Sequence, residues 1–470
     1  MASQLFGQFF QLLVALILAR LLVPRDYGLA AMVLVFAALV PIFADLALGA
    51  ALVQRRELSE ADRSTVFWTG TAVGGAFTLL GVGLSGVVAD FYGEPAVRAL
   101  FAALSLSFVV TALGTTQRAL FTREMNFRKL ELMAMAANAA GGVVGIAAAF
   151  LGFGAWAIVG QQIAIAVVST ALVWVGSPWR PQLLFSRASL RALFGFSGNV
   201  FATRILFYVN RNADNLLIGR YLGPTALGPY ALAYNVMLAP ISRLTWPIVE
   251  VFFPAFSQLQ RDPQRIAAAW VRVNRVIGAI TVPAMLGLIV VAPEFVVVVL
   301  GERWNDAVPV IRLLAWVGLL QSLQGLNSSI LQARDRTGLL LRYAAVVVVA
   351  SLTAFVIGVQ WGIVGVAAAY ALSSTVVEPY YAWLTARSIC TTLRALVSGL
   401  APIVQAAIVM VGAVGLAREV LIRQGVSETP RLLGLVLLGI GVYGPLVAWR
   451  SPDLVDEVRQ LRRGRKAGRS

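Results

Sequence analysis

The sequence predicts an all-α integral membrane protein, in which 14 transmembrane helices form two pseudo-symmetric six-helix lobes and two extra C-terminal helices. Three observations lead to this fold class. Of the 470 residues, 59% are hydrophobic and 13% are charged, with a mean hydropathy of +0.81, which excludes an ordinary soluble protein. Apolar segments of membrane-spanning length follow one another from end to end, and two motifs recur in the same order about 200 residues apart.

The apolar segments set the number of spans. A helix needs about 20 apolar residues to cross a hydrocarbon core of about 30 Å. We therefore predict membrane helices at residues 4–22, 29–52, 65–88, 99–117, 131–151, 155–175, 195–218, 229–253, 276–292, 310–331, 343–359, 362–386, 397–416 and 432–449. The first segment lacks the basic residues and the cleavage site of a signal peptide, so we expect it to be retained as a span.

The positive charges predict the orientation. When the connections are assigned alternately to two sides, one side carries 26 Lys and Arg residues and the other carries eight. Cytoplasmic connections are the ones enriched in Lys and Arg. We therefore predict a multi-pass protein of the bacterial inner membrane with both termini in the cytoplasm. Its basic tail, 451–470, is expected to lie near anionic membrane lipids.

Two motifs indicate an internal duplication. ARLLVPRDYG at 19–28 and GRYLGPTALG at 219–228 share the frame Arg-x-Leu-x-Pro-x-x-x-Gly, and WAIVG at 156–160 recurs as WGIVG at 361–365. We interpret the first frame as a helix hairpin, because Pro ends one span and Gly permits a tight entry into the next. The predicted organisation is an N-terminal lobe at 1–178, an amphipathic cytoplasmic linker at 179–194, a C-terminal lobe at 195–390, two added helices at 391–450, and the tail.

Longer stretches carry a family resemblance. They include FADLALGAALVQRREL at 43–58, ALFTREMNF at 119–127, GAWAIVGQQ at 154–162 and NADNLLIGRYLGPTALGPYALAYNV at 212–236. The chain resembles the polysaccharide transporters of the MOP superfamily, and in particular the Wzx-type flippases. The resemblance implies the MOP flippase fold and movement of an undecaprenyl-diphosphate-linked oligosaccharide across the membrane by alternating access. O-antigen, exopolysaccharide or a similar polymer would be the product, and a glycan polymerase and glycosyltransferases would be partners.

The offset of 200 aligns a polar face of the first span with one of the seventh. The aligned positions are Gln4, Gln8 and Gln11 in the first span and Arg204, Tyr208, Arg211 and Asn215 in the seventh. The forked donors of arginine suit phosphate oxygens, and amide and phenol groups suit sugars, so we predict that these side chains bind the lipid-linked glycan. Alternatively, Arg211 pairs with Asp214 and Arg204 snorkels to the interface. Arg243 in the eighth span is a further candidate.

Four acidic side chains lie within predicted spans: Asp45, Asp214, Glu250 and Glu378. A carboxylate at membrane depth can take up Na⁺ or a proton and couple transport to a gradient, or it can neutralise a nearby arginine. We expect no cofactor beyond such an ion. The sequence has no His and only one Cys, so the usual zinc ligands are absent and no metal centre is predicted.

Other function classes fit the sequence less well. A MATE-like exporter of small molecules would favour an aromatic, acidic pocket over a stripe of arginines. A membrane polymerase would need a sizeable outer loop, and the longest predicted outer connection, about 293–309, is short and poor in catalytic groups. A non-enzymatic scaffold of a glycan-assembly complex would not explain arginines inside spans. The net charge of +16 comes without an aromatic-rich basic surface, so no nucleic acid partner is expected. We therefore expect a transporter rather than an enzyme.

Overall fold

The computed structural model describes residues 2–39, 52, 58–187, 198–245, 256, 262–451 and 453, and within them every regular element is helical. The first seven α-helices are α1 (Ala2–Leu21), α2 (Pro24–Ala37), α3 (Glu60–Gly83), α4 (Ser85–Tyr92), α5 (Ala96–Arg123), α6 (Phe127–Phe150) and α7 (Trp156–Gly176). The next nine are α8 (Gly198–Leu222), α9 (Pro224–Pro240), α10 (Pro263–Phe295), α11 (Ala307–Ser322), α12 (Asn327–Ala333), α13 (Thr337–Gly358), α14 (Gly362–Ser388), α15 (Leu393–Arg423) and α16 (Glu428–Arg450). Each of the fourteen predicted segments is mainly helical where it is described, with turns at a few positions such as 323–326, which confirms the all-α fold class.

Nine helical stretches of the described residues are long and apolar enough to cross a membrane, so the protein is a multi-pass membrane protein. Helices α1, α2, α8 and α9 are not among the nine. For α8 the reason lies in its sequence, where Arg and Asn residues interrupt the apolar run and lower the mean hydropathy. The most polar of the predicted spans is thus also the one that carries the candidate binding stripe.

Helix α10 shows why a hydropathy pattern predicts some helices to be shorter than they are. The predicted span began at residue 276, whereas the helix begins at Pro263, where the Asp262 carboxylate accepts a hydrogen bond from the backbone N–H of Arg265 at 3.1 Å. Its first turns are amphipathic, with Ile266, Trp270 and Val273 buried at helical spacing. Hydropathy detects only the fully apolar part of a helix, so the amphipathic extension escapes it.

The chain forms two compact units, Met1–Ala231 and Leu232–Ser470. In the N-terminal unit, α6 packs on α7 through small residues, and a Cβ atom on Gly145 would lie 3.0 Å from the Cβ of Gln161. In the C-terminal unit, the corresponding helices α13 and α14 meet at Gly358 and Gly365, where an added Cβ would overlap the opposite backbone carbonyl. Small residues in both halves therefore permit close helix packing. The predicted lobe boundaries at 178, 194 and 390 remain predictions.

Two other features position the candidate sites. The described part of the predicted linker is not helical at residues 178–186, and the backbone N–H of Gln182 donates to Ser64 Oγ of α3 at 3.1 Å. In the C-terminal unit the added helices pack on α10, and the Tyr443 hydroxyl donates to the carbonyl oxygen of Ala279 at 2.8 Å. Apolar side chains around Ile277, Met285 and Ile403 form the core at this junction.

Candidate functional site

The repeated proline-glycine frame has the same local structure in both copies. Helix α1 ends at Leu21 and α2 begins at Pro24, while α8 ends at Leu222 and α9 begins at Pro224. Proline is well placed at the first turn of a helix, because the first N–H groups have no intrahelical acceptor. The hairpin interpretation of this frame therefore agrees with the observed elements.

The two copies of the frame also contact each other within the N-terminal unit. A Cβ atom on Gly28 would overlap the carbonyl oxygen of Pro224, and one on Gly228 would overlap that of Pro24. The contact is thus reciprocal and involves backbone on both sides, as expected where a pseudo-two-fold axis passes between two related hairpins. Both glycines are needed for close approach, since any side chain would separate the two helix starts.

The middle of the predicted stripe on α8 is engaged with the protein. Tyr208 is buried, and its hydroxyl donates to the carbonyl oxygen of Val35 on α2. Arg211, one turn further along, is half-buried and interacts electrostatically with Asp214. Their proximity on one helix supports the alternative in which Arg211 pairs with Asp214.

Asp214 is the centre of a polar cluster next to this stripe. Its side chain is 1% exposed, and its carboxylate accepts hydrogen bonds from the Tyr230 hydroxyl at 3.0 Å and from the backbone N–H of Asn215 at 2.8 Å. The side-chain oxygens of Asn215 and Asn210 are buried and have no hydrogen-bond partner within the described residues. Unsatisfied buried amide oxygens are costly, so these two oxygens are potential acceptors for water, for an ion or for substrate hydroxyls.

The remaining sequence-predicted residues are placed less completely. Gln11 on α1 is exposed. The side chains of Gln4, Gln8, Arg204 and Arg243 lie outside the described part of the structure, although the backbone of each is helical there. Arg243 falls in a π-helical turn, Ile241–Thr245, that follows Pro240 at the end of α9. Asp45 and Glu250 lie outside the described residues altogether.

Glu378 on α14 contacts aromatic residues. It is 7% exposed, and its Oε2 atom accepts a hydrogen bond from the Tyr343 hydroxyl of α13 at 3.2 Å. The rings of Tyr343 and Tyr381 stack with centroids 3.6 Å apart and an interplanar angle of 9°. No cation pairs with this carboxylate among the residues that the structure describes.

A second buried glutamate was not found by sequence reasoning. Glu294, near the end of α10, is fully buried, and its carboxylate pairs with Arg418 of α15 at 2.8 Å and with Arg431 of α16 at 3.0 Å. Through this ionic triad, the two added helices, α15 and α16, both contact α10. A useful signal was available, because Glu294 interrupts an apolar run and two arginines flank the predicted outer loop between the last two spans.

The comparisons with known proteins agree with the resemblance. The family model described as polysaccharide biosynthesis protein matches residues 17–309. The chain belongs to this family. Among its relatives is the lipopolysaccharide biosynthesis protein WzxC of Escherichia coli (strain K12), 33% identical over 76% of this chain and 73% of its own length. The teichuronic acid biosynthesis protein TuaB of Bacillus subtilis (strain 168) is 28% identical over 75% of this chain and 74% of its own length.

Solved structures of the same fold lie further away in sequence. A lipid II flippase, MurJ, in an inward closed conformation superposes with a TM-score of 0.78 at 15% identity, covering 97% of this chain and 99% of that chain. An inward-facing multidrug transporter of the MATE family in the MOP superfamily gives a TM-score of 0.64 at 14% identity, covering 82% of this chain and 94% of that chain. This member of the polysaccharide biosynthesis family therefore has the MOP fold, and the proteins that it matches are named as biosynthesis proteins, a flippase and a multidrug transporter.

Proposed function

We propose that the protein is a flippase that moves an oligosaccharide linked to an undecaprenyl diphosphate from the inner to the outer leaflet during polysaccharide biosynthesis. The observation that carries this function is membership of the polysaccharide biosynthesis family, with relatives named for lipopolysaccharide and teichuronic acid synthesis. A relative from Haloferax volcanii is named as a probable glycan biosynthesis flippase, and is 29% identical over 41% of this chain. The fold is that of known transporters, which supports transport rather than catalysis.

The substrate is proposed to contact the polar face of α8. Arg204 and Arg211 would hold the diphosphate, since guanidinium groups bind phosphate oxygens with paired hydrogen bonds. The unpartnered side-chain oxygens of Asn210 and Asn215 lie on the same helix and could accept hydrogen bonds from sugar hydroxyls. Gln4, Gln8 and Gln11 are the proposed counterparts on α1, and Arg243 of the C-terminal unit is a separate candidate for substrate binding. The phenol of Tyr208 would position α8 against α2, because its proton is donated to Val35.

This site is tested by replacing its charges. In cells that depend on this protein, Arg204→Ala combined with Arg211→Ala should abolish surface polymer and cause the lipid-linked intermediate to accumulate. The matched control is Arg220→Ala combined with Arg423→Ala, which removes two arginines that are exposed in the structure. Extracted lipid-linked sugars and the amount of folded protein would be measured together. Normal polymer output from the first double variant would refute the site.

We also propose that a coupling ion, Na⁺ or a proton, drives transport through a buried carboxylate. Asp214 lies beside the candidate stripe, with Tyr230 and Arg211 as neighbours. Glu378 accepts a hydrogen bond from the Tyr343 hydroxyl and has no cationic partner among the described residues, so its negative charge is the less compensated of the two. Asp45 and Glu250 remain sequence candidates. An unpaired carboxylate inside a membrane protein is costly to keep charged, which favours uptake of a cation there.

The proposed location is the bacterial inner membrane, with both termini in the cytoplasm and the basic tail near anionic lipid. A short epitope fused after Ser470 should be inaccessible to antibody outside intact cells and become accessible after permeabilisation. Labelling of intact cells would show that the proposed orientation is wrong, and this result would not bear on the proposed substrate. Glycosyltransferases and a polymerase are proposed partners, because a lipid-linked oligosaccharide must be made on one side and consumed on the other.

A further inference from the structure

A polar cavity lies in the N-terminal unit where α3 begins and where α5 and α7 end. Its volume is about 480 Å³, within the range of roughly 300–1,000 Å³ that is typical of small-ligand sites. Arg63 of α3, Arg123 and Glu124 at the end of α5, and Ser177 and Trp179 after α7 contribute to its wall. None of these residues belongs to the proposed glycan site on α8.

Arg63 has unused hydrogen-bonding capacity at this cavity. Its Nε atom is buried and has no hydrogen-bond partner within the described residues. Its Nη1 atom lies 3.6 Å from Oε2 of Glu60, which is long for an ion pair. A buried N–H without an acceptor is unfavourable, so an anionic oxygen at this point would remove a penalty as well as add a charge-assisted bond.

Two more cationic side chains lie next to the cavity. Lys129 Nζ donates to the carbonyl oxygen of Gly176 at 2.7 Å, and Arg180 Nη1 donates to that of Ser177 at 2.6 Å. Among the described residues that line the cavity itself, two are cationic, Arg63 and Arg123, and one is acidic, Glu124. The local charge is therefore positive, which favours an anionic ligand.

An aromatic cluster shows where this cavity lies relative to a membrane. The Phe67 ring contacts Trp68, Trp174 and Trp179, with centroids 5.2 to 6.1 Å apart. The indole N–H groups of Trp68 and Trp174 donate to the carbonyl oxygens of Gln182 and Leu113, each at 2.8 Å. Tryptophans with satisfied indole N–H groups at the ends of membrane helices are typical of the membrane–water interface. The cavity is thus at the depth of lipid headgroups.

We propose that this cavity binds the phosphodiester headgroup of an anionic phospholipid, through Arg63 and through Arg123, whose Nη1 atom also donates to the carbonyl oxygen of Leu52 at 2.9 Å. Basic pockets between membrane helices at the headgroup level bind anionic lipids, and arginine fits phosphate better than lysine does because its donors form a planar fork. In the orientation proposed above, the lipid comes from the cytoplasmic leaflet. Ser177 adds a short polar side chain to the same wall.

Lipid binding can be measured directly on the purified full-length protein. After delipidation in detergent, phosphatidylglycerol would be added and the bound lipid counted by native mass spectrometry. Arg63→Gln combined with Arg123→Gln should lose one bound phosphatidylglycerol, with an affinity lower by about tenfold or more, the equivalent of one charge-assisted bond. Arg128→Gln combined with Arg336→Gln removes two exposed arginines outside the cavity and should bind as the unmodified protein does.

A variant that is expected to bind the lipid more tightly distinguishes a specific loss of binding from a loss caused by misfolding. Glu124 is exposed and lines the cavity, so Glu124→Gln removes a repulsive charge without disturbing a buried contact. It should bind phosphatidylglycerol more tightly by a few-fold. Equal affinity in the unmodified protein, the Arg63/Arg123 double variant and Glu124→Gln would overturn the proposal.

Two further ligands distinguish the source of the phosphate. Phosphatidylethanolamine carries the same phosphodiester together with an ammonium group, so it should bind more weakly than phosphatidylglycerol at this cationic site. Inorganic phosphate at millimolar concentration should compete weakly, because it lacks the chains that hold a phospholipid at the interface. Complete displacement of phosphatidylglycerol by inorganic phosphate would refute a lipid site. None of these readouts depends on transport, so the flippase function and this site can fail separately.

Discussion

Two glutamates are buried in the C-terminal unit in opposite environments. Glu294 is fully buried between two arginines, Arg418 and Arg431, while Glu378 is 7% exposed and shares a hydrogen bond with the Tyr343 hydroxyl. The Glu294 carboxylate is paired with two positive charges, and these ion pairs connect α10 with α15 and α16. The second has no cationic partner among the described residues, so its charge is free to be balanced by an ion. Burial alone therefore does not distinguish the two carboxylates, whereas the identity of their partners shows that one charge is paired within the protein and that the other has no cationic partner among the described residues.

The largest effect is expected from removing the charge of Glu294. Glu294→Gln leaves Arg418 and Arg431 facing each other with no buried counter-charge. Loss of one partner of a buried ion pair typically costs about 3–5 kcal/mol. The thermal midpoint of the detergent-solubilised protein and its yield should both fall strongly.

The control for this prediction lies on α15, the helix that carries Arg418. Glu419 and Arg423 of α15 form an exposed ion pair at 3.3 Å, so Glu419→Gln should change the free energy of unfolding by less than about 0.5 kcal/mol. Equal melting of Glu294→Gln and Glu419→Gln would contradict the view that the triad holds the added helices in place.

A functional effect with little loss of stability is expected from Glu378→Gln. The amide has nearly the same shape and can still accept a hydrogen bond from Tyr343, so the free energy of unfolding should change by about 1 kcal/mol or less. If Glu378 takes up the coupling ion, transport in proteoliposomes should no longer respond to an imposed Na⁺ or pH gradient. An unchanged response would assign coupling elsewhere, with Asp214 as the next candidate.

The smallest effect on transport is expected from Tyr343→Phe. The substitution removes one hydrogen bond to Glu378 but keeps the ring that stacks on Tyr381. A net loss of about 1 kcal/mol in stability is expected, together with retained but altered ion dependence of transport. A loss as large as that of Glu294→Gln would show that Glu378 depends on this phenol in the same way as Glu294 depends on its arginines.

The sequence located the helices well, and its errors have physical reasons. Hydropathy reports an apolar run, so it placed α10 from residue 276 and missed the amphipathic turns that begin at Pro263. It also joined α3 and α4 into one span, because both are apolar and no charge marks the break at Leu84. For the candidate site, helical spacing brought Arg204, Tyr208 and Arg211 to one face, but spacing could not show that the Tyr208 hydroxyl is used by Val35, 173 residues away.

The sequence by itself determined the membrane class, the helical segments, the duplication and the family, because apolar runs, proline-glycine punctuation and repeated motifs are local properties of the chain. Only the tertiary structure decided which polar groups meet. Glu294 and Arg418 are 124 residues apart, and Gly28 and Pro224 are nearly 200 apart. Such pairs depend on how helices pack, and the packing decides whether a buried charge is paired or left available to an ion.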